Sequence, residues 1–286
     1  MFDKSIEEFI KHNQRALRNR PPTRHYPSEA SIVLLSGEVA GRCHRQSWYK
    51  RRGYRPDKLI EAGNLRIMQI GKAIEQMEIG FCKSMGIHLA DDLPFENEVR
   101  GMTISGKIDA IYVDEHGKQV CVEYKTTSGY TFASVAGKIR RLKGGPKPEH
   151  VLQVMLYLDA LDYLDYGLIF YMNRKDAEVI EHKVEVLRNG VLINGQPEEY
   201  TLDEIYRRYE ELTRYLTCDT PPPCDYVPMY NGDEVESLNE RGKISNKAME
   251  EYLNTGIAPC HWVCGYACDF RRTCIKDEQK KDRCMG

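Results

Sequence analysis

Two short segments rich in β-branched and aromatic residues, 107–114 and 119–126, most constrain how this chain can fold. Each has the composition of a β-strand, and the few residues between them leave room for a tight hairpin connection. A three-residue loop, 115–117, is favoured because such loops end in a left-handed residue and Gly117 stands at that place. The sequence therefore predicts an antiparallel hairpin.

The length of this loop decides which side chains meet across the hairpin. A three-residue loop pairs Asp114 with Lys118, and counting back from that pair sets Asp109 directly opposite Glu123. Lys125 lies on the same face as Glu123, because side chains alternate along a strand. A two-residue turn would move Asp109 to the other face. The favoured register brings two carboxylates and one amine to one face of the hairpin.

This combination of groups has a specific chemistry. Two carboxylates at that separation repel one another unless a cation lies between them. Mg²⁺ prefers oxygen ligands and is held by one or two protein carboxylates together with substrate phosphate. The ion activates a bound water, and a nearby lysine can position that water. The pattern indicates metal-dependent hydrolysis of a phosphodiester, and its alternative interpretation is a solvated strand face.

The rest of the chain alternates between helical and strand patterns. Helical spacing of apolar residues extends over 3–18, 41–52, 64–85, 131–142, 149–165 and 201–216. Further strand patterns occupy 95–100, 168–174 and 177–186. Within the third helical segment, the apolar residues with the helical spacing of a core face are Ile67, Ile70, Ile74, Met77 and Phe81. The order of elements predicts an α/β core around a mixed sheet.

Composition limits the class of protein. The 286 residues, 41% of them apolar, can bury one large core with an appendage. The formal net charge of −2 neither demands nor excludes nucleic acid, since local patches decide that. No apolar run is long enough to span a membrane, and the N-terminus lacks the apolar core of a signal peptide. We therefore expect a cytoplasmic or otherwise intracellular protein that does not bind a membrane.

Several short motifs together resemble the PD-(D/E)xK nucleases, in particular the RecB-like branch with an iron–sulfur cluster. The motifs are G-K-I-D-A at 106–110, V-E-Y-K-T-T at 122–127, Q-V-M-L-Y at 153–157, G-K-A-I-E at 71–75 and L-S-G-E-V-A-G-R-C-H-R-Q-S-W-Y at 35–49. The resemblance implies a restriction-endonuclease-like α/β core, with a mixed central sheet flanked by helices, and a helical Fe–S lobe. It divides the chain into an N-terminal helical arm (1–60), a nuclease core (61–187) and a C-terminal helical region with a cysteine cluster (188–286).

The resemblance also implies roles for the residues of these motifs. Mg²⁺ or Mn²⁺ would be bound by Asp109, Glu123 and the backbone carbonyl of Tyr124, and Lys125 would serve the attacking water. Glu75 stands where the branch often has histidine, and its carboxylate could be a further metal ligand. Its alternative interpretation is an exposed helix residue.

Two polar residues of the predicted helix 149–165 belong to the same site by resemblance. Gln153 and Tyr157 match the Q-x₃-Y motif of the branch and lie on one helix face, since they are four residues apart. They would steady the substrate or the active-site lysine. Without the other motifs, they would be interpreted as ordinary packing residues of an amphipathic helix.

The chain has ten cysteines, and five of them lie in its last 27 residues, which in a reducing compartment indicates a metal centre. By resemblance, Cys43, Cys264, Cys268 and Cys274 would bind a [4Fe–4S] cluster, with Zn²⁺ as the alternative. The C-x₃-C-x₅-C spacing at 264–274 is one residue longer in its first gap than the C-x₂-C-x₅-C of the branch. Cys260 is therefore an alternative to Cys264, while Cys224 is interpreted as a core or surface thiol.

The function implied is a metal-dependent DNA exonuclease acting on single strands or DNA ends, similar to CRISPR-associated and phage RecB-like enzymes. Basic residues at 15–24 and 138–147 are candidates for contacts with DNA phosphates. Recombination, replication or CRISPR adaptation proteins are the expected partners, and a phage origin is one expectation. Two alternatives are a nuclease subunit of a larger helicase–nuclease machine and a catalytically inactive DNA-binding or scaffold subunit.

Overall fold

The computed structural model describes residues 21–58, 60–140 and 143–284. The predicted helix 3–18 and the basic residues of the arm before Pro21 lie outside the described residues. The chain forms two compact units. The described part of the first, the sheet unit, comprises 21–42, 60–140 and 143–217. That of the second, the cysteine unit, comprises 43–58 and 218–284. The three-part division at residues 60 and 187 stays a prediction.

The sheet unit is built on a mixed sheet. The strands of the described chain are β1 (Arg24–His25), β2 (Ser31–Val33), β3 (Val39–Gly41), β4 (His88–Val99), β5 (Met102–Val113), β6 (Gln119–Thr127), β7 (Tyr166–Asn173), β8 (Val179–Leu187), β9 (Gly190–Ile193) and β10 (Gln196–Glu198). The main sheet has the order β1-β5-β6-β7-β8-β9-β10, with β4 paired to β5, and β2 and β3 form a separate ribbon. The β1–β5 and β6–β7 pairs are parallel and the other pairs of the sheet are antiparallel.

Helices cover both faces of this sheet. The helices of the described residues are α1 (His44–Arg51), α2 (Ala62–Ser84), α3 (Gly129–Val135), α4 (Pro148–Ala160), α5 (Leu202–Leu216), α6 (Gly232–Glu240), α7 (Asn246–Thr255) and α8 (Arg271–Cys284). One face carries the main core, to which α4 contributes a run of fully buried residues. The other face carries a smaller core around Ile79 of α2. The predicted α/β architecture, a mixed central sheet flanked by helices, is confirmed.

The hairpin between β5 and β6 has the predicted register. Ala110 pairs with Val122. The Asp114 backbone N–H donates to the Lys118 carbonyl over 2.9 Å, which closes the three-residue loop. Gly117 has φ +78°, a left-handed conformation that a glycine adopts without steric cost. The loop-length argument from the sequence was therefore correct.

Helix α3 is shorter than predicted. It ends at Val135, whereas the pattern suggested a helix to residue 142. Gly137, with φ +68°, ends the helical path, and its N–H donates back to the Ser134 carbonyl. A Cβ added to Gly144 would meet the Gly137 backbone, so the chain turns back closely on itself here. Gly137 thus ends the helix before its predicted last turns.

Helix α2 has the predicted position but not the predicted burial. Its buried residues are Ala62 and Ile79. Met77 is 44% exposed and Phe81 is 55% exposed, although their spacing suggested a core face. The apolar stripe is real, but α2 packs on the sheet chiefly through Ile79, which lies on another face of the helix. In the described part of the chain, no helix could cross a membrane.

Candidate active site and cysteine centre

Asp109 and Glu123 lie at the point where β5 and β6 separate. Their register position continues the pairing that ends at Ala110 and Val122, so they face one another across the two strands. The Tyr124 backbone N–H donates to Asp109 Oδ2 over 2.9 Å, which fixes this carboxylate beside β6. Glu123 is only 1% exposed. Two carboxylates therefore share a mostly buried site.

Lys125 neutralises part of this negative charge. Its Nζ forms an ion pair and hydrogen bond with Glu123 Oε1, and 27% of its side chain remains exposed. Burial lowers the pKa of Lys125, but the charges of Glu123 and Asp109 outweigh burial and raise the pKa above its ordinary value. The amine is therefore held as an ammonium ion.

The pKa of Asp109 reflects crowding of negative charge. Burial raises it, the charges of Glu123 and Glu75 raise it further, and Lys125 and the Tyr124 N–H oppose the rise. The result is a pKa of about 7, well above the ordinary value for an aspartate. A cation near both carboxylates would remove this repulsion.

Helix α4 holds the second oxygen of Glu123. Tyr157 is buried, and its hydroxyl donates to Glu123 Oε2 over 2.8 Å. Gln153 Nε2 in turn donates to the Tyr157 hydroxyl. The two residues of the Q-x₃-Y motif therefore act as a chain that fixes the orientation of a carboxylate, with Lys125 on its other oxygen.

Helix α2 brings a further acid and an amine, Glu75 and Lys72. Lys72 Nζ lies 2.6 Å from Glu75 Oε1 and 3.6 Å from Asp92 Oδ1. A Cβ on Gly71 would come within 3.0 Å of Thr126 Oγ1, so glycine permits the close approach of α2 to β6. Lys72 was not singled out from the sequence, since nothing in its local pattern distinguishes it from a surface lysine.

His150 is another residue that the sequence analysis missed. The Tyr171 hydroxyl accepts from the Lys147 N–H over 3.0 Å and lies 2.6 Å from His150 Nδ1. Burial, Lys125 and Lys147 lower the pKa of His150 well below its ordinary value. The imidazole is therefore neutral at neutral pH. The spacing H-x₂-Q-x₃-Y, which puts His150 on the face of Gln153 and Tyr157, was the available signal.

The donor chemistry of this site fits Mg²⁺ or Mn²⁺. It offers two carboxylates, the oxygen donors that such ions prefer, and the ammonium of Lys125 already occupies one oxygen of Glu123. Among the described residues, no three His, Cys, Asp or Glu side chains form a group that could hold one metal ion. Glu75 is therefore not brought together with Asp109 and Glu123 as a third ligand in this arrangement; it contacts Lys72 instead.

Five thiols surround one cavity in the cysteine unit. The cavity is lined by Cys43, Cys224, Cys264, Cys268 and Cys274. Cys43 precedes α1, Cys224 precedes α6, and Cys274 lies in the first turn of α8. All four cysteines inferred by resemblance thus line the same cavity, although no three of the described cysteines form a group that could hold one metal ion in this arrangement. Thiolates suit either an Fe–S cluster or zinc.

A π-helical turn, Val263–Ala267, accommodates the long gap between Cys264 and Cys268. A π turn holds one residue more than an α turn, so an inserted residue need not rotate the flanking side chains away from their partners. Cys264 is buried at the cavity, whereas Cys260 does not belong to the described residues that line it. This arrangement favours Cys264 over Cys260 as the candidate ligand.

Cys224 was interpreted as a core or surface thiol, yet it lines the cavity together with the four inferred ligands. Its Sγ is 3.1 Å from Cys274 Sγ and 2.7 Å from Nη1 of Arg45. The hydrogen bond with Cys274 lowers the pKa of Cys224 to about 7, with help from Arg45 and against the effect of burial. Its C-x₅-C spacing from Cys218 was a weak signal in the sequence.

Solved structures and a family profile show similarity to this chain. The solved structure of SSO0001 is 19% identical, with a TM-score of 0.41, covering 77% of this chain and 86% of that one. An alkaline exonuclease from Laribacter hongkongensis is 14% identical, with a TM-score of 0.35, covering 61% of this chain and 73% of its own. No curated protein matched the sequence. The sequence profile described as PD-(D/E)XK nuclease superfamily matches residues 6–275, nearly the whole chain. The chain therefore belongs to the PD-(D/E)XK nuclease superfamily.

Proposed function

We propose that this protein is a Mg²⁺- or Mn²⁺-dependent deoxyribonuclease that cleaves single-stranded DNA or DNA ends. The observation that carries the proposal is the group of Asp109, Glu123 and Lys125, two facing carboxylates with an ammonium bonded to one of them. Superfamily membership supports the reaction class. DNA, single strands and ends are the proposed substrates.

Each residue has a defined part in this proposal. Asp109, Glu123 and the Tyr124 carbonyl would hold the metal, which when bound activates a water and neutralises charge on the phosphate. Lys125 donates hydrogen bonds as an ammonium ion and so orients the attacking water. Tyr157 keeps the Glu123 carboxylate in a fixed orientation, which preserves the geometry that hydrolysis needs.

The test compares wild type, Lys125→Ala and a matched control, Lys118→Ala, on end-labelled single-stranded and duplex DNA with Mg²⁺ or Mn²⁺. Lys118 is an exposed lysine of the same hairpin. We expect Lys125→Ala to lower cleavage at least about a hundredfold while DNA binding persists, and Lys118→Ala to cleave like wild type. Equal cleavage by all three proteins would contradict the site assignment. Mononucleotide products would identify an exonuclease.

The same experiment separates the enzyme from the inactive scaffold. A scaffold protein would bind the end-labelled DNA without cleaving it at any metal concentration, in wild type and in Lys125→Ala alike. The intact acid pair and lysine favour the enzyme. Partner proteins in recombination, replication or CRISPR adaptation stay a prediction from the resemblance.

We also propose that the cysteine unit holds a metal centre, [4Fe–4S] in preference to Zn²⁺, with Cys43, Cys264, Cys268 and Cys274 as ligands. The convergence of these thiols on one cavity supports the proposal. A [4Fe–4S] cluster is held by four cysteine thiolates, the number of ligands that the resemblance assigns to this cavity. Anaerobic purification followed by iron, acid-labile sulfide and zinc analysis tests it. Zinc without iron would overturn the preference for the cluster.

A further inference from the structure

Arg45 is a fully charged side chain in the interior of the cysteine unit. It follows Cys43 by two residues in the first turn of α1, is 1% exposed and lines the cavity of the five thiols. Glu278, Cys274 and Cys224 raise its pKa above the ordinary value despite burial. A buried guanidinium is costly unless its charge and its N–H groups are matched by partners.

The hydrogen bonds of Arg45 leave part of the guanidinium unmatched. Nη1 donates to Glu278 and, over 2.7 Å, to Cys224 Sγ. Nε and Nη2 are buried, and in the described structure neither has a hydrogen-bond partner. Since Nε carries one N–H and Nη2 carries two, three buried donors lack acceptors. Buried N–H donors without acceptors indicate that an acceptor group occupies the cavity in the fully assembled protein.

The lining of the cavity limits the chemistry of that acceptor. Thiol groups are weak acceptors, but thiolates and inorganic sulfides bound to metal accept N–H hydrogen bonds and carry negative charge. Four thiolates on a [4Fe–4S]²⁺ core, or on Zn²⁺, leave a dianion. The positive charge of Arg45 and the negative charge of such a centre would therefore compensate one another.

We propose that Arg45 is the charge partner of an anionic metal–thiolate centre in the cysteine unit, donating N–H···S hydrogen bonds to it from Nε and Nη2. This inference rests on the proposed centre but assigns a residue that is not one of its ligands. Arg45 acts through the centre as a positioning residue. Reduction adds negative charge to an Fe–S cluster, so a nearby cation with N–H···S bonds raises its reduction potential.

The test is a redox titration of the full-length, anaerobically purified protein, followed by absorbance and electron paramagnetic resonance. Wild type is compared with Arg45→Lys, Arg45→Met and a control, Arg52→Met. Arg52 belongs to the same unit and pairs with the exposed Asp219. At one fixed potential we expect the reduced-to-oxidised ratio to fall about tenfold in Arg45→Met, the scale of a lost charge-assisted hydrogen bond. Arg45→Lys keeps the positive charge but lacks the several N–H donors of the planar guanidinium. Its reduced-to-oxidised ratio should therefore lie between those of Arg45→Met and wild type.

The outcomes separate this inference from the centre on which it rests. A wild-type iron content with an unchanged potential in both Arg45 variants overturns the role of Arg45 and leaves the centre intact. If Arg45→Met does not fold, Arg45→Lys decides in the same way. If wild type contains zinc, the readout is zinc release to a chromogenic chelator, and equal rates in wild type and Arg45→Lys overturn the inference. Wild type with neither metal overturns both the centre and the role of Arg45.

Discussion

At the scale of single residues, the candidate active site brings two carboxylates, Asp109 and Glu123, close together in a mostly buried place. Glu123 has both oxygens occupied, by Lys125 and by Tyr157, and so is held in one orientation. Asp109 accepts a hydrogen bond from one backbone N–H, and the negative charges of Glu123 and Glu75 repel its carboxylate. The two acids therefore differ: one is fixed by its partners, and the other responds to protons and metal.

Metal affinity should depend on pH through Asp109. Because its pKa is about 7 without metal, the carboxyl is largely protonated below pH 7 and a metal ion must displace that proton. We expect the apparent affinity for Mn²⁺ to fall as the pH is lowered from about 8 to about 6. Calorimetric titration of wild type checks this, and the heats in buffers of different ionisation enthalpy report proton release. Constant affinity across that range would contradict the expectation.

In the metal-free protein, the free energy of unfolding should also depend on the protonation of Asp109. Its pH dependence should be opposite to that of the metal affinity. Folded Asp109 keeps its proton to about pH 7, whereas in the unfolded chain it loses it near its ordinary value. Its contribution to stability is therefore present at low pH and is lost as the pH rises through about 7. Asp109→Asn should raise the melting temperature at pH 8 more than at pH 6, as differential scanning fluorimetry in EDTA would measure. An equal effect at both pH values would argue against the raised pKa.

Removing the Tyr157 hydroxyl should weaken the site without opening a cavity. Tyr157→Phe deletes the hydrogen bond to a buried, charged carboxylate, for which we expect a loss of about 1.5–3 kcal/mol in the free energy of unfolding. Urea denaturation measures it. Tyr163→Phe, at an exposed tyrosine, is the control. A change below about 0.5 kcal/mol would mean that Tyr157 does not hold Glu123 in solution.

At the scale of secondary-structure elements, the hairpin loop sets the geometry of the site. Gly117 adopts a left-handed conformation, whereas Gly80 of α2 is an exposed helical glycine with open space around its Cα. We expect Gly117→Ala to lower the free energy of unfolding by about 1–2 kcal/mol and Gly80→Ala to raise it by about 0.5–1 kcal/mol. Chemical denaturation of the two variants compares them. The same sign for both would contradict the hairpin geometry.

Some features of these elements could be predicted from the sequence, and others could not. The register of Asp109 against Glu123 followed from one loop length, because pairing in a hairpin is local. The burial of α2 did not follow, since periodicity identifies an apolar face but not the surface that covers it. His150 and Cys224 acquire their partners from elements distant in the chain, so their local sequence carried little signal, and Lys72 pairs with Glu75 of its own helix as a surface lysine would. The π turn at Val263–Ala267 was visible only as an irregular cysteine spacing.

At the scale of the whole molecule, the two units should depend differently on the proposed metal centre. A metal that binds the folded cysteine unit and not the unfolded chain stabilises that unit. We expect removal of the metal to increase hydrogen exchange of backbone amides in 43–58 and 218–284, with little change in β5 and β6. Hydrogen–deuterium exchange mass spectrometry with and without metal measures this. An equal increase in hydrogen exchange across both units would contradict the expectation that the two units depend differently on the metal.

The cysteine unit is discontinuous in sequence: Cys43 and α1 belong to it, but its other thiols come after residue 217. During synthesis on the ribosome, Cys43 is made before residues 60–217 of the sheet unit, and the other thiols of the cavity are made after them. Loading of the proposed centre with metal would then be a late event in biogenesis. A nascent chain that ends before α8 has Cys264 and Cys268 but lacks Cys274 and Glu278, so the proposed centre would be incomplete and Arg45 would lack its carboxylate partner.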